Sequence, residues 1–359
     1  MSETQIIREE EERADIGTFV ARATLAEPLT AEEAEAAFGI VMEGRATPVQ
    51  IAALLVALRT RRETAAEVAG GVRALRRAMI PVIASDPDTL VDTCGTGGGA
   101  VTTFNISTAA AFVAAGAGVR IAKHGNRSFT SRCGSADILE ALGVTIELTP
   151  AGMADVLERA GIVFMFAPLL HPAMRHVAPV RRELGMPTIM NLLGPLTNPA
   201  SARRQVVGVA DPALMDLIAG ALHQLGHLRA LVVHGEPGLD ELSPVGITRV
   251  IELRNGNLTA SQLDMRELLP PGRNLQLRHL AGGDPIDNAR LVLDVLSGRA
   301  PDAARAAVVV NAAAAIYVGD AADSLRAGIA AAEHALDCGA ALAAFERLRA
   351  AAETAERKR

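Results

Sequence analysis

The chain of 359 residues contains no tryptophan, and only 3% of its residues are aromatic. It also lacks any basic stretch interleaved with aromatic side chains, which is the pattern on which RNA bases stack. The formal net charge is −6 at pH 7, so no overall positive field attracts a polyanion. These absences argue against a nucleic-acid partner.

Cysteine is scarce as well: Cys94, Cys133 and Cys338 are the full set, and none belongs to a CxxC pair. A sparse, odd set without metal-binding spacing is typical of a reducing compartment. We interpret Cys94 and Cys133 as buried thiols rather than nucleophiles. The N-terminus lacks the apolar core of a signal peptide, and the apolar runs 109–119 and 306–318 are too short to cross a bilayer. We therefore expect a cytoplasmic protein with no membrane partner.

The first eighty residues carry three helix-start signals of one kind. Thr30, Thr47 and Thr64 are each followed three positions later by glutamate or glutamine, which is the spacing of a capping box. Thr47 is also followed by proline, which favours the first position of a helix. These signals predict a small all-helical unit over residues 14–79. Two prolines between residues 81 and 88 predict a linker after it.

Beyond the linker, short strand patterns alternate with helical patterns, which is typical of a parallel sheet covered by helices. We therefore predict an α/β fold: a small N-terminal helical domain plus a large α/β domain with a mainly parallel central sheet flanked by helices. The helical domain is predicted over 1–80 and the α/β domain over 81–170 and 191–359, with a polar helix in 171–190 packing against the helical domain. Predicted strands are 90–93, 119–122, 145–148, 163–167, 205–209 and 230–234, predicted helices are 108–117, 136–142, 152–160 and 213–225, and a hairpin at 250–259 precedes helices from residue 285 onward.

Glycines follow the first predicted strand. Gly95-Thr-Gly-Gly-Gly99 leads into Asn105-Ile-Ser-Thr108, where the next helix is predicted to begin. A strand that opens through glycines into a helix start brings backbone N–H groups close to an anion. The stretch is neither a Walker loop nor a dinucleotide fingerprint. Taken alone, the glycines are compatible with a packing role, and Ser107 or Thr108 with simple helix capping.

A second polar segment, Lys123-His-Gly-Asn-Arg-Ser-Phe-Thr-Ser131, follows the next predicted strand. Lysine supplies a point charge, arginine supplies a planar fork of donors, and the hydroxyls supply further hydrogen bonds. That mixture suits a multiply charged phosphate, although a solvated polar loop is the alternative.

Two further features fit a phosphorylated substrate. Asp240 and Glu241 are adjacent acids after the predicted strand 230–234. Magnesium binds proteins through one or two carboxylates together with substrate phosphates, so the pair is a candidate metal site, while adjacent acids are also common on surfaces. Arg181, on the polar helix, is a candidate for binding the carboxylate of a second substrate, with a surface ion pair as its alternative role.

In combination these motifs resemble the anthranilate phosphoribosyltransferase family and occur in its order. The resemblance covers roughly residues 25–340 and implies transfer of the phosphoribosyl group of 5-phosphoribosyl 1-pyrophosphate to the amine of anthranilate, in tryptophan biosynthesis. It also implies two Mg²⁺ ions per subunit and a homodimer formed through the helical domain. Besides the two phosphate segments, the matching motifs are His171-Pro-Ala-Met-Arg175, Asn191-Leu-Leu-Gly-Pro-Leu-Thr-Asn-Pro199 and Gly238-Leu-Asp-Glu241.

The resemblance further implies a role for individual residues. The expected catalytic residues are Lys123, Asn126 and Arg181, the expected anthranilate contacts are Gly95, Asn126 and Arg181, and the expected magnesium ligands are Ser107, Asp240 and Glu241. The residues expected to bind phosphoribosyl pyrophosphate are Gly95, Gly98, Gly99, Thr103, Asn105, Ile106, Ser107, Thr108, Lys123, His124, Gly125, Asn126, Arg127, Ser128, Ser131 and Ser135.

One position departs from the family pattern. The family usually has Gly-Thr-Gly-Gly-Asp, whereas this chain has Gly99 in the fifth place. A missing carboxylate beside the pyrophosphate predicts retained activity with an altered magnesium dependence. Two alternatives stay open from the sequence: a nucleoside phosphorylase on the same fold, in which the second segment differs, and a non-catalytic nucleic-acid-binding paralogue, which the acidic balance disfavours.

Overall fold

The computed structural model describes residues 15–128 and 132–357. The N-terminal part is helical, and the elements after it alternate between strands and helices. The N-terminal helices are α1 (Ile16–Thr24), α2 (Ala31–Met42), α3 (Pro48–Arg61) and α4 (Ala65–Ala78).

The predicted capping boxes are confirmed at the start of α2, α3 and α4. Thr30, Thr47 and Thr64 each accept a hydrogen bond from the backbone N–H three residues on, and the acid or amide at that position bonds back. The buried carboxylate of Glu67 pairs with Arg61. Two orphan N–H groups are thereby satisfied at each of these helix starts.

The central sheet contains strands of both orientations. Its strands are β1 (Val91–Gly95), β2 (Ile121–Gly125), β3 (Ile162–Phe166), β4 (Arg204–Gly208), β5 (Arg229–Gly235), β6 (Ile247–Arg254) and β7 (Asn257–Asp264). They lie in the order β3-β2-β1-β4-β5-β6-β7. Strands β1 to β5 are parallel, and β6 and β7 form an antiparallel hairpin beside β5. The predicted fold class is confirmed.

Helices cover both faces of this sheet. Val206 of β4 belongs to the apolar core shared with the C-terminal helices, whereas its neighbour Val207 belongs to the core shared with α2, α3 and α4. Burial on both faces explains why the parallel strands read as continuous apolar runs. None of the helices within 15–128 and 132–357 is long and apolar enough to cross a membrane. The helices after β1 are α5 (Ile106–Gly116), α6 (Ser135–Ala141), α7 (Pro150–Ala160), α8 (Ala167–Leu170), α9 (Ala178–Leu184), α10 (Met190–Leu193), α11 (Met215–Gln224), α12 (Pro285–Leu296), α13 (Asp302–Val318), α14 (Leu325–Asp337) and α15 (Ala340–Thr354).

The segment 171–190 leaves the sheet and packs against the N-terminal helices. Val177, Val180 and Ile189 are buried in the same apolar core as Phe38 of α2 and Leu58 of α3. Helix α9, which carries Arg181, contacts α3. The helical part of the chain thus includes residues from the middle of the sequence.

Two sequence predictions about strands are wrong in detail. The segment 145–148 is not a strand of the sheet: Leu148 forms only an isolated bridge with Arg357, because the end of the chain lies beside it. Strands β1 and β2 also extend to Gly95 and Gly125, since their ladders continue that far. Lys123 and His124 consequently belong to β2 and not to a loop.

The strand order places a topological switch point between β1 and β4. The chain passes from β1 to β2 and β3 on one side, and later returns to β4 and β5 on the other. In open α/β sheets, ligands bind in the crevice outside the carboxyl ends of the strands at such a point. Gly95 and Gly208 end these two strands as register partners, so the glycine loop begins at the crevice.

Candidate active site

The glycine loop after β1 is hydrogen-bonded to the loop after β5. The N–H of Gly97 donates to Oδ2 of Asp240 at 3.1 Å, and the N–H of Ala100 donates to the carbonyl oxygen of Gly238 at 3.1 Å. Asp240 is therefore held against the glycine loop, although the two loops are far apart in the sequence.

Glycine is required at two kinds of position here. Gly97 and Gly98 have φ angles of +66° and +77°. In this region of backbone conformation, residues other than glycine are strained. A Cβ on Gly208 would collide with the carbonyl oxygen of Asp240. The loops can approach each other this closely only because these residues lack a side chain.

The start of α5 brings three further predicted residues together. The N–H of Ser107 donates to Oε1 of Glu241 at 3.1 Å. Nζ of Lys123 lies 3.4 Å from Oγ of Ser107 and 3.3 Å from Oγ1 of Thr93, and it also donates to the carbonyl oxygen of Thr93. Ser107, Lys123 and Glu241 thus form one cluster, and Asp240 adjoins it.

The two adjacent carboxylates fit a divalent cation. Burial raises the pKa of Glu241 to about 8, with the charge of Asp240 as a second cause, and burial also raises the pKa of Asp240. A bound cation would offset both effects, since it favours the ionised form of each acid. Two carboxylates suit magnesium, which completes its shell with water and substrate phosphate. The described residues hold no group of three or more His, Cys, Asp or Glu that could bind a metal.

Beneath the site, Asp92 organises a buried polar network that the sequence prediction missed. Its carboxylate accepts hydrogen bonds from the N–H of His124 at 3.2 Å and from Nδ2 of Asn198 at 2.8 Å. Burial raises the pKa of Asp92 to about 6 and lowers that of Lys123, and the opposite charges of these two residues counteract both shifts. The available signals were the position of Asp92 on β1, just before the glycine loop, and that of Asn198 within the Asn191–Pro199 motif.

The second polar segment is only partly directed at the cleft. The carbonyl oxygen of Asn126 accepts hydrogen bonds from Oγ of Ser135 and from the N–H of Ala136, both at 3.2 Å. The guanidinium of Arg127 is paired with Asp137 and Glu140 of α6. In this structure, two carboxylates therefore occupy the guanidinium that the sequence predicts as a phosphate contact.

Four other predicted pyrophosphate residues, Thr103, Ile106, Thr108 and Ser128, are buried or have backbone contacts within the protein. Ile106 and Thr108 are buried in the core under α5, and Oγ1 of Thr108 has no hydrogen-bond partner among the described residues. Thr103 forms a backbone bridge with Ala281. The N–H of Ser128 donates to Oδ2 of Asp137 at 3.2 Å.

The remaining predicted positions are glycines, apart from one serine. Gly95 and Gly99 closely face the loop after β5: a Cβ on either would lie 3.0 Å from Asp240 Oδ2 or Gly238 O, respectively. A Cβ on Gly125, at the end of β2, would collide with Oγ of Ser135. Ser131 lies outside the described residues.

Two histidines connect β2 to the segment that carries Arg181. Nε2 of His124 lies 3.1 Å from Nε2 of His171. Burial lowers the pKa of His124 to about 3 and that of His171 to about 4, so both rings are neutral. Arg181 is half-buried, its pKa is lowered by burial, and it has no ion pair with any described residue. A guanidinium in that condition is available to a carboxylate.

The thiols near the site are not activated. Sγ of Cys94 lies 3.5 Å from the carbonyl oxygen of Pro195, and burial raises the pKa of Cys94 well above its usual value. Burial also raises the pKa of Cys133 to about 11. The thiolate is the nucleophilic form, so these shifts support the interpretation of both as unreactive thiols.

Comparison with known proteins gives matches over most of the chain. Residues 87–342 match the glycosyl transferase family's α/β domain, and residues 18–79 match its helical bundle domain. An anthranilate phosphoribosyltransferase from Rubrobacter xylanophilus is 54% identical over 330 residues, which are 91% of this chain and 94% of the relative.

Solved structures of anthranilate phosphoribosyltransferases also match most of the chain. The anthranilate phosphoribosyltransferase of Thermus thermophilus superposes with a TM-score of 0.87 at 44% identity, covering 94% of this chain and 99% of the other. The enzyme of Saccharomyces cerevisiae, solved in complex with phosphoribosyl pyrophosphate and magnesium, superposes with a TM-score of 0.84 at 26% identity and covers 96% and 99% of the two chains.

Proposed function

This chain belongs to the anthranilate phosphoribosyltransferase family, and from that premise we propose how its residues carry out the reaction. The enzyme transfers the phosphoribosyl group of 5-phosphoribosyl 1-pyrophosphate to the amine of anthranilate, and it releases pyrophosphate. This is a glycosyltransferase step of tryptophan biosynthesis. The comparisons favour neither a nucleoside phosphorylase nor a nucleic-acid-binding paralogue.

One arrangement carries the assignment of the pyrophosphate site. Asp240 accepts a hydrogen bond from the glycine loop at Gly97, and Glu241 accepts one from the start of α5 at Ser107. The two acids therefore hold the glycine loop and the start of α5 together at one point of the crevice, which suits a metal-bound diphosphate. We assign the pyrophosphate to this point, between the glycine loop and the segment that follows β2.

The magnesium ligands follow from the same cluster. Ser107 and Glu241 would hold one ion and Asp240 with Glu241 a second, each completed by oxygens of the substrate. Bound magnesium supplies positive charge that stabilises pyrophosphate as it leaves. Support comes from the raised pKa values of the two acids, which a cation would bring down.

Anthranilate would bind at Gly95, Asn126 and Arg181. The half-buried guanidinium of Arg181 would bind the substrate's carboxylate and aim its amine at C1 of the ribose. That amine is a nucleophile when neutral, so no residue has to act as a general base. Lys123 and the loop N–H groups would stabilise the negative charge that develops on the leaving oxygens.

We also propose a cytoplasmic homodimer formed through the helical domain, residues 1–80. Leu25 and Val49 of that domain expose 71% and 78% of their surface. An interface through this domain would bury both side chains and gain the free energy of their removal from water. The α/β domain would then comprise residues 81–170 and 191–359, with 171–190 belonging to the helical side.

The decisive experiment follows the fluorescence of anthranilate. Fluorescence should fall, with stoichiometric release of pyrophosphate, only when enzyme, anthranilate, phosphoribosyl pyrophosphate and magnesium are all present. Nucleoside plus inorganic phosphate should yield no ribose 1-phosphate. Unchanged anthranilate fluorescence together with nucleoside cleavage would contradict the assignment.

A further inference from the structure

Asn288 is a buried asparagine that belongs to none of the motifs described above, and it is connected to the phosphate loops through Asn105. Asn288 lies in the first turn of α12 and is only 3% exposed. Its Oδ1 accepts a hydrogen bond from the N–H of Gly283 at 2.7 Å, and its Nδ2 donates to Oδ1 of Asn105 at 3.0 Å. Both ends of its amide are thus occupied.

The chain of amides continues from Asn105 to the second loop. Nδ2 of Asn105 donates to the carbonyl oxygen of Cys133 at 3.2 Å. Asn105 is the N-cap residue of α5, and Cys133 lies at the far end of the segment that follows β2. Two amides in series therefore connect α12 to the start of α5, into which the glycine loop leads, and to the segment that follows β2.

The backbone beside Asn288 reinforces this connection. The N–H of Phe104 donates to the carbonyl oxygen of Leu280 at 2.9 Å, and the N–H of Gly282 donates to that of Thr102 at 3.2 Å. The segment just before α12 is consequently attached to the chain entering α5. Asn288 closes this attachment by binding Gly283 on one side and Asn105 on the other.

We propose that Asn288 is a positioning residue for phosphoribosyl pyrophosphate, which sets the separation of the two phosphate loops through Asn105. The proposal rests on the proposed function, because it assumes that these loops hold the pyrophosphate. The amide of Asn288 accepts from Gly283 through Oδ1 and donates to Asn105 through Nδ2, and neither an ionised carboxylate nor an apolar side chain can fill both roles. The side chain of Asn288 therefore has a role here that packing alone does not supply.

The test compares Asn288→Asp with the wild-type enzyme. Aspartate keeps the acceptor for Gly283 but turns a carboxylate oxygen toward Oδ1 of Asn105, so the hydrogen bond to Asn105 is lost and the two oxygens repel each other. We expect KM for phosphoribosyl pyrophosphate to rise on the order of tenfold, as for one buried hydrogen bond left unmade. KM for anthranilate should rise by less, because Arg181, its charged contact, is not part of the chain of amides, even though Gly95 and Asn126 lie on the two loops.

Asn288→Ala is the second variant and the basis of a double-mutant cycle with Asn105→Ala. If Asn288 acts through Asn105, the double variant should bind phosphoribosyl pyrophosphate and magnesium, measured by titration calorimetry, about as weakly as Asn105→Ala alone. Additive losses would overturn the proposal. Ser324→Ala, which removes the N-cap of α14, is the stability control and should lower the melting temperature without changing either KM.

The results distinguish a failure of the proposed function from a failure of the role proposed for Asn288. A wild-type enzyme that fails to bind phosphoribosyl pyrophosphate with magnesium would contradict the proposed function itself. A wild-type enzyme that binds it, together with an Asn288→Asp variant of unchanged affinity, would overturn only the role of Asn288. Equal increases in both KM values would indicate general disruption and would likewise count against positioning.

Discussion

The imidazole rings of His124 and His171 meet through their Nε2 atoms, 3.1 Å apart. His124 lies at the end of β2 beside the phosphate segment, whereas His171 begins the segment that packs against the N-terminal helices. Because neither ring is charged, one Nε2 must donate and the other accept. This contact ties the two sides of the cleft together, and it makes a prediction about pH.

Acid should destabilise the protein through these rings. The pKa values of about 3 and about 4 lie below the 6.5 of a free imidazole. Below about pH 6.5 the unfolded chain binds protons on these imidazoles that the folded chain does not bind. The free energy of unfolding therefore falls as the pH falls. At about pH 5 each ring accounts for a loss of about 2 kcal/mol relative to neutral pH.

His171→Gln should weaken this acid sensitivity, because it removes one titrating group and keeps a side chain that can form hydrogen bonds. Thermal unfolding followed from about pH 4 to about pH 7 measures the slope. The exposed His334→Gln is the control and should keep the wild-type slope. His227, whose pKa burial also lowers to about 3, leaves a residual sensitivity in every variant. Identical slopes for His171→Gln and wild type would contradict the prediction.

Glu241→Gln should stabilise the metal-free protein. A carboxyl group whose pKa is raised to about 8 opposes folding increasingly as the pH rises above its unfolded value, because it is ionised more readily in the unfolded chain. We expect a melting temperature at least about 2 °C higher than wild type at about pH 8 in chelator, which corresponds to roughly 1 kcal/mol. Magnesium with phosphoribosyl pyrophosphate should stabilise wild type and leave the variant almost unchanged. A lower melting temperature in chelator would refute this account.

Arg181→Ala should weaken anthranilate binding selectively. One charge-assisted hydrogen bond contributes about 1.5–3 kcal/mol, so KM for anthranilate should rise on the order of 10- to 100-fold. KM for phosphoribosyl pyrophosphate should stay nearly constant. The exposed neighbour Arg182→Ala serves as the matched control in steady-state assays. Equal losses for both substrates would count against the assignment of Arg181.

Gly99→Asp should change the magnesium dependence while wild type itself remains active. A Cβ at this position lies 3.4 Å from Oδ1 of Asp240, so an added carboxylate joins the acid pair. An interaction of about 1 kcal/mol would lower the half-saturating magnesium concentration roughly fivefold. Gly99→Ala separates this charge effect from the tight approach to Gly238. Superimposable magnesium titrations of wild type and Gly99→Asp would refute the prediction.

Val49→Glu should convert the proposed dimer to a monomer. Burying an unpaired carboxylate in an interface costs several kcal/mol, and Val49 is 78% exposed on α3. Leu258→Glu is the matched control, since Leu258 is 44% exposed on β7 in the α/β part. Light scattering coupled to gel filtration measures the mass. A Val49→Glu protein that keeps the wild-type dimer mass would exclude this surface.

The sequence by itself determined the features that depend on close neighbours. The capping boxes at Thr30, Thr47 and Thr64 could be predicted because each needs only residues three positions apart. The order of strands and helices followed from apolar patterns, and the glycine loop and acid pair were recognisable as motifs. The strand predicted at 145–148 failed because this segment meets the end of the chain through one isolated bridge and does not join the sheet.

Only the tertiary structure decided which side chains meet. Asp92 and Asn198 are 106 positions apart, and Asn105 and Asn288 are 183 apart, so no local pattern could have paired them. In the tertiary structure, Lys123 is buried within β2, and Arg127 forms ion pairs with carboxylates of α6. The physical reason is that a motif specifies the chemistry of a side chain, whereas its partners and its pKa depend on sheet register and on the loops that pack above it.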